Sequence, residues 1–188
     1  MATSHTPAHS SATRKPAQTR DPAKSKTTTT RDYDPATALL MADHAKVKKL
    51  FKQFEKSKTK GTPAEKAQIV AQACLELRIH TRVEEEIFYP AVKAALGKDG
   101  DMIDEAVVEH ASCKDLIAQL SVMKPGDELF DARFTVLSEF IEHHVEEEET
   151  ELFPKVRKLK GLNLDELGEQ MKELKQTLSA DTAVASAH

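Results

Sequence analysis

The sequence predicts an all-α protein, an antiparallel up-down-up-down four-helix bundle, and three features carry that prediction. Apolar residues recur three and four positions apart in four long segments. Links rich in Gly and Pro separate those segments. No stretch alternates apolar and polar residues as a half-buried strand would. Four amphipathic helices on short connections bury their stripes most simply by packing side by side with alternating direction.

The first helix is expected over about 35–56, with a stripe through Leu40, His44, Val47, Phe51 and Phe54, and it ends near Gly61. Thr62 and Pro63 then supply a cap and a proline at the first helical position. The second helix runs to about Leu96 through Val70, Ala73, Leu77, His80, Glu84, Phe88 and Ala91, and Gly97 and Gly100 stop it. A third, about 101–123, presents Ile103, Val107, His110, Cys113, Ile117 and Leu120 before Pro125-Gly126. The fourth, about 127–159, presents Phe130, Phe134, Leu137, Ile141, His144, Glu148, Leu152 and Val156. Pro90 and Pro154 fall late in helices two and four, where each is expected to kink or end its helix. A short amphipathic piece, about 164–178, is expected outside the bundle.

Three regions follow from this pattern. Residues 1–33 form a Ser/Thr/Ala/Pro-rich tail with six basic residues against Asp21 and Asp32. Such a segment buries too little apolar surface to offset its ordering entropy, so it is expected to be disordered. Its composition also resembles a transit peptide, but no amphipathic helix supports one. Residues 34–160 are the helical domain, and 161–188 hold the short helix and a fraying end. Of the 188 residues 31% are charged and none is Trp, which favours long solvated helices. The net charge of −4 gives no argument for nucleic acid. No apolar run approaches a membrane span. Cys74 and Cys113 provide no disulfide framework, so a reducing, cytoplasmic location is expected, with both thiols as core residues.

The chain contains itself twice. His80 stands four residues before Glu84 and ten before Pro90; His144 stands four before Glu148 and ten before Pro154. Upstream, Asp43-His44-Ala45 with Lys48 and Leu50 matches Glu109-His110-Ala111 with Lys114 and Leu116. On a helix, i and i+4 share a face, so each copy aims an imidazole and a carboxylate at one point. His44, His80, Glu84, His110, His144 and Glu148 all continue the apolar stripes of their helices. Unpaired carboxylates in a core cost several kcal/mol. A divalent cation compensates those charges and accepts the imidazole lone pairs, which suits Fe, Mn, Zn or Cu. The count divides into His44, His80 and Glu84 for one ion and His110, His144 and Glu148 for another, with either carboxylate free to bridge. His143 pairs with Glu147 at the same spacing, but alignment to Pro154 puts it on the edge. Asp43, Glu109, Glu85 and Glu149 are expected to be mainly solvated, with hydrogen bonding to the ligands as the alternative.

These residues, with the Phe-Tyr-Pro90 and Leu-Phe-Pro154 endings, resemble the hemerythrin-like, His-His-Glu cation-binding domain over about residues 35–160. The resemblance implies a non-haem di-iron centre bridged by the two glutamates, with Mn or Zn as other occupants. It also implies a small diatomic ligand, dioxygen or nitric oxide, or peroxide; no nucleic-acid or membrane partner is expected from the charge and hydropathy of the chain. Relatives carry or sense such ligands, sense iron, repair iron–sulfur centres or decompose peroxide. The function expected is therefore binding or sensing at the metal pair. The alternatives are an enzyme that decomposes peroxide or oxidises ferrous iron, and a metal sensor or store. Oxygen carriers of the family place a further His where this chain has Lys114, and an Asp one residue beyond Glu148. That departure leaves a more open and symmetric site. Lys114 and Tyr89 are near enough in sequence to contribute a hydrogen bond, although solvation and plain packing respectively are the simpler expectations.

Overall fold

The computed structural model describes residues 1–2 and 34–185, and in that second stretch every regular element is helical. The tail expected at 1–33 lies, but for its first two residues, outside the described residues. Five helices follow one another: α1 (Pro35–Lys60), α2 (63–96), α3 (Asp101–Ser121), α4 (130–156) and α5 (Leu164–Ala185). The first four form the bundle.

Helix starts are built from local polar contacts. Asp34 caps α1 by accepting from the Thr37 N–H at 2.8 Å. Thr62 and Glu65 form a reciprocal capping box on α2, with Pro63 at its first position. Helix α4 starts later than the expected 127, because Lys124 to Leu129 make a turn in which Asp127 accepts the Lys124 N–H and Leu129 takes a left-handed conformation (φ 68°).

Neither proline ends its helix. Instead each is preceded by a π turn, Glu84–Phe88 in α2 and Glu148–Leu152 in α4. There the Tyr89 N–H donates to the Glu84 carbonyl and the Phe153 N–H to the Glu148 carbonyl, five residues back. The wider turn accommodates a following residue that has no N–H and whose ring would crowd a normal turn. It also adds one residue to the helical phase. The α2 stripe therefore resumes at buried Val92 rather than at the expected Ala91. In α3 the buried position is Ala106, and Val107 is exposed.

The apolar interior is in two parts, with the polar stripe positions between them. The lower core holds Phe51, Phe54, Leu77, Ile117, Phe134 and Leu137, together with both cysteines. Phe134 packs against Phe51 and Phe54 at ring separations of 5.6 and 4.4 Å. The upper core holds Leu40, Val83, Phe88, Tyr89, Phe153 and Val156. Helix α5 is longer than the short piece expected and is docked there through Leu167, Met171 and Leu178. Gly168 permits this approach: a Cβ at that position would meet Pro35 Cβ at 2.7 Å and Ala36 N at 2.8 Å.

Candidate metal centre

All six side chains singled out by the repeat lie in the layer between the two cores, and all six are buried. His44 comes from α1, His80 and Glu84 from α2, His110 from α3, and His144 and Glu148 from α4. Each glutamate is the first residue of a π turn, and its own N–H still bonds the carbonyl of the histidine four residues back, so the His–Glu register is kept and the widening follows it. Glu84 Oε2 lies 3.1 Å from His80 Nε2 and 3.4 Å from His110 Nε2. Glu148 Oε2 lies 3.2 Å from His44 Nε2 and 3.7 Å from His144 Nε2. Each carboxylate thus stands between one imidazole of the first repeat and one of the second. The donor clusters do not follow the division into three ligands per half, because Glu84 is common to both, as the bridging alternative allows. Two groups of donors converge, His44, His80, Glu84 and Glu148 in one, and Glu84, His110 and His144 in the other.

His110 Nε2 and His144 Nε2 pair with each other at 3.1 Å, but most of the other inward-facing donors face one another without satisfying one another. Among the described residues, seven buried side-chain polar atoms have no hydrogen-bond partner. Six belong to this set: His44 Nε2, both ring nitrogens of His80, both oxygens of Glu84, and Glu148 Oε2. Buried polar atoms are almost always hydrogen-bonded, so a cluster of exceptions needs a physical cause. Lone pairs aimed at a common point, rather than at each other, are the arrangement a cation requires. Two carboxylates and four imidazoles fit a pair of divalent transition ions. The thiols take no part. Burial raises Cys74 and Cys113 to about 11, and both sit in the lower core.

The outer nitrogens of the four imidazoles show what the sequence left undecided. Asp43 lies 3.5 Å from His80 Nδ1, Glu85 2.9 Å from His110 Nδ1, Glu109 2.7 Å from His144 Nδ1, and Glu149 2.9 Å from His44 Nδ1. The expectation that these four acids are mainly solvated is corrected. Each faces a histidine of another helix; Glu85, Glu109 and Glu149 hydrogen-bond their rings and turn Nε2 inward, whereas Asp43 and His80 Nδ1 face each other without closing a hydrogen bond. The pattern obeys the repeat: Asp43 and Glu109 reach the next helix within their own half, and Glu85 and Glu149 cross between halves. The signal was present in the spacing, because each of these acids directly adjoins a predicted ligand.

Lysines back two of these acids. Lys114 Nζ reaches Glu85 Oε1 at 2.6 Å, and Lys48 Nζ lies 3.6 Å from Glu149. Lys114 is therefore bound to the acid that holds His110. On Glu85, the His110 hydrogen bond lowers the carboxyl pKa against the effect of burial, and Lys114 adds to it. Lys175 of α5 pairs with Asp43, whose carboxyl is held low by His80 and Lys175 although burial opposes it.

Tyr89 is more than packing. Its hydroxyl donates to Glu148 Oε1 at 2.9 Å and lies 3.4 Å from the Nε2 atoms of His110 and His144. Burial, with Glu148 and Glu84 alongside, raises its pKa well above the ordinary value, so it stays protonated. The equivalent residue of the second repeat is Phe153, which stacks on His44 with ring centroids 5.9 Å apart. His143 is on the edge as expected, exposed and 3.4 Å from Glu147.

Charge is distributed across the cluster. Burial opposes a charge on His80, yet Glu84, Asp43 and Glu148 outweigh it and raise its pKa to about 10. Burial likewise opposes a charge on Glu148, but His44, His144 and His80 bring its carboxyl down to about 2. The ring of His144 is raised by Glu148, Glu84 and Glu109 against burial.

Comparison with known proteins agrees with this geometry. The family described as "Hemerythrin HHE cation binding domain" matches residues 36–156. A DNA nickase of Nostoc sp. is 30% identical over 119 residues, 63% of this chain and 32% of that protein. An uncharacterised protein of Mycobacterium tuberculosis is 29% identical over 99 residues, 52% of this chain and 59% of its own length. The chain thus spans about a third of the first relative and under two thirds of the second. A solved structure, a hemerythrin HHE cation binding domain-containing protein from Mycobacterium kansasii, superposes with a TM-score of 0.65 at 23% identity. That superposition covers 81% of this chain and 91% of the other, and it shows a shared fold.

Proposed function

Because this chain belongs to the hemerythrin HHE cation-binding family, we propose that its six converging side chains hold two non-haem iron ions and present them to dioxygen, nitric oxide or peroxide. The observation that carries this reading is the cluster of buried donor atoms with no hydrogen-bond partner among the protein's own groups. His44 and His80 would serve one ion and His110 and His144 the other, with Glu84 and Glu148 shared between them. Manganese or zinc suits the same donors. Six protein ligands on two ions leave coordination positions open, and an iron pair supplies both a binding position and electrons for a small oxidant.

The protein's own residues supply the rest. Glu85, Glu109 and Glu149 keep three of the rings oriented, and Asp43 faces the fourth. Tyr89 offers a proton beside Glu148, where the dry surroundings keep its hydroxyl a donor. With Lys114 tied to Glu85, the centre has no fifth histidine at that place. Tyr89 also favours a second reading, catalytic decomposition of peroxide, since a buried phenol at the centre can donate a hydrogen bond to a peroxide oxygen, which Phe153 in the other half cannot. No described helix is long and apolar enough to cross a membrane, and two unpaired thiols fit a reducing compartment such as the cytoplasm.

The test is metal analysis with an optical spectrum of full-length protein purified without chelators. About two irons per chain, oxo-bridge absorption, and a spectral change on adding dioxygen, nitric oxide or peroxide to the reduced protein are expected. Absence of both the absorption and the responses would refute the proposal. Peroxide turnover that falls in Tyr89→Phe at unchanged iron content would favour the second reading.

A further inference from the structure

The two halves keep the same ligands, but the walls around them have diverged. Registering His80 on His144 and His44 on His110 pairs Leu39 with Glu105, Ile79 with His143, Val83 with Glu147 and Ile87 with Glu151. The apolar members join or pack against the upper core under α5, which also brings Lys175 to Asp43. That side of the centre is covered. On the other side, Glu105, Glu109, Glu147 and Glu151 line a cavity of about 90 Å³ between α3 and α4. Its lining also includes His144 and Glu148, so it connects the surface to the metal-binding layer.

Two observations point to a cation in this cleft. Glu109 and Glu147, which line the cavity, bring donor atoms within 4.8 Å of each other and of a ring nitrogen of His143, which lies beside the lining. The lining also includes Glu148, whose side chain is only 3% exposed and whose Oε2 atom, between His44 and His144, has no hydrogen-bond partner. The side chains of His143 and Glu147 are 66% and 48% exposed, so the donors run from solvent to interior. A volume of this size corresponds to roughly three water molecules, enough for an ion that exchanges its hydration shell for side chains. A cleft lined by one sign of charge also raises the local concentration of the opposite ion.

We propose that divalent cations reach the buried centre through the cleft between α3 and α4, docking first at Glu109, His143 and Glu147. The proposal rests on the metal-centre reading above. Duplication alone would give two such routes; with Leu39, Ile79, Val83 and Ile87 at the matching positions and α5 packed over them, the described residues offer one.

The test is stopped-flow uptake of Co²⁺ by the full chain after chelator treatment, followed by the cobalt absorption bands and by final stoichiometry. The His143→Ala/Glu147→Gln double variant removes two outer donors without touching the six inner ligands. Uptake is expected to slow about tenfold, with a weaker dependence on salt and the same final two ions per chain. Glu55→Gln, an equal change of charge far from the cleft, is expected to leave the rate unchanged. Full occupancy at the wild-type rate in the double variant would overturn the route while leaving the metal centre standing. Failure of the wild-type chain to bind a pair of ions would overturn the metal-centre reading and the route with it.

Discussion

Replacing Glu85 by Gln tests the ring of acids around the centre, and the run Glu84-Glu85-Glu86 contains its own control. Glu85 accepts from His110 Nδ1 at 2.9 Å and from Lys114, whereas Glu86 bonds Arg82 at 2.7 Å on the surface. Glutamine keeps the size of Glu85 and an acceptor oxygen but removes the charge. His110 then loses a charge-assisted hydrogen bond, its ring is less firmly oriented, and its Nε2 is a weaker donor to a cation. Loss of such a partner weakens metal affinity by about 10- to 100-fold, equivalent to roughly 1.4–2.8 kcal/mol. Glu86→Gln alters an exposed pair with side chains about half accessible, so its effect should stay within about 0.5 kcal/mol, roughly twofold in affinity. Competition for Zn²⁺ against a chromophoric chelator measures both variants on one scale. Equal effects of the two changes, or an affinity of Glu85→Gln within twofold of the wild type, would refute the assigned role.

Other outcomes follow from the same contacts. Tyr89→Phe leaves Glu148 without its donor, and hydrogen bonds to charged groups are worth about 1.5–3 kcal/mol. The chelator-treated variant should melt roughly 3–12 °C lower, and a melt identical to the wild type would show the bond to be idle. For His80 the folded-state pKa is raised from 6.5 to about 10. Its protonation therefore contributes stability fully below pH 6.5, and this is lost as pH rises through 10. Chelator-treated protein should lose thermal stability across that window, and metal loading near pH 7.5 should release at least the His80 proton. Pairing a pH titration of melting with uptake in weakly buffered indicator solution checks both, and no proton release would count against the ligand role. Gly168→Ala should loosen α5, because the added methyl meets Pro35 and Ala36 at under 3 Å. Faster proteolysis near residues 159–163, with the bundle core still protected, is the expected sign.

Much of the candidate site could be read before any coordinates. The i, i+4 spacing put His80 with Glu84 and His144 with Glu148, and the stripes put all six residues inside, because a helix's periodicity alone decides which of its side chains share a face. It does not decide which side chain of a neighbouring helix they meet. Asp43, Glu85, Glu109 and Glu149 are local neighbours of ligands, but each serves an imidazole on a different helix. Only packing distances could separate them from the surface acid Glu86. The π turns were hidden for a related reason: Pro90 and Pro154 announce a disturbance, but whether a helix ends, bends or widens depends on what the surrounding core can hold.

What the sequence by itself determined was the architecture, the duplication and the identity of the inward-facing donors, since these depend on periodicity and on residue type along single helices. Tertiary structure decided that each carboxylate stands between imidazoles of both repeats, that Tyr89 reaches Glu148, and that α5 packs over one side of the centre while acidic residues line a cavity on the other. These depend on contacts between residues such as Asp43 and Lys175, more than a hundred positions apart. Such contacts are set by how five helices share one interior, and no local pattern along the chain records that.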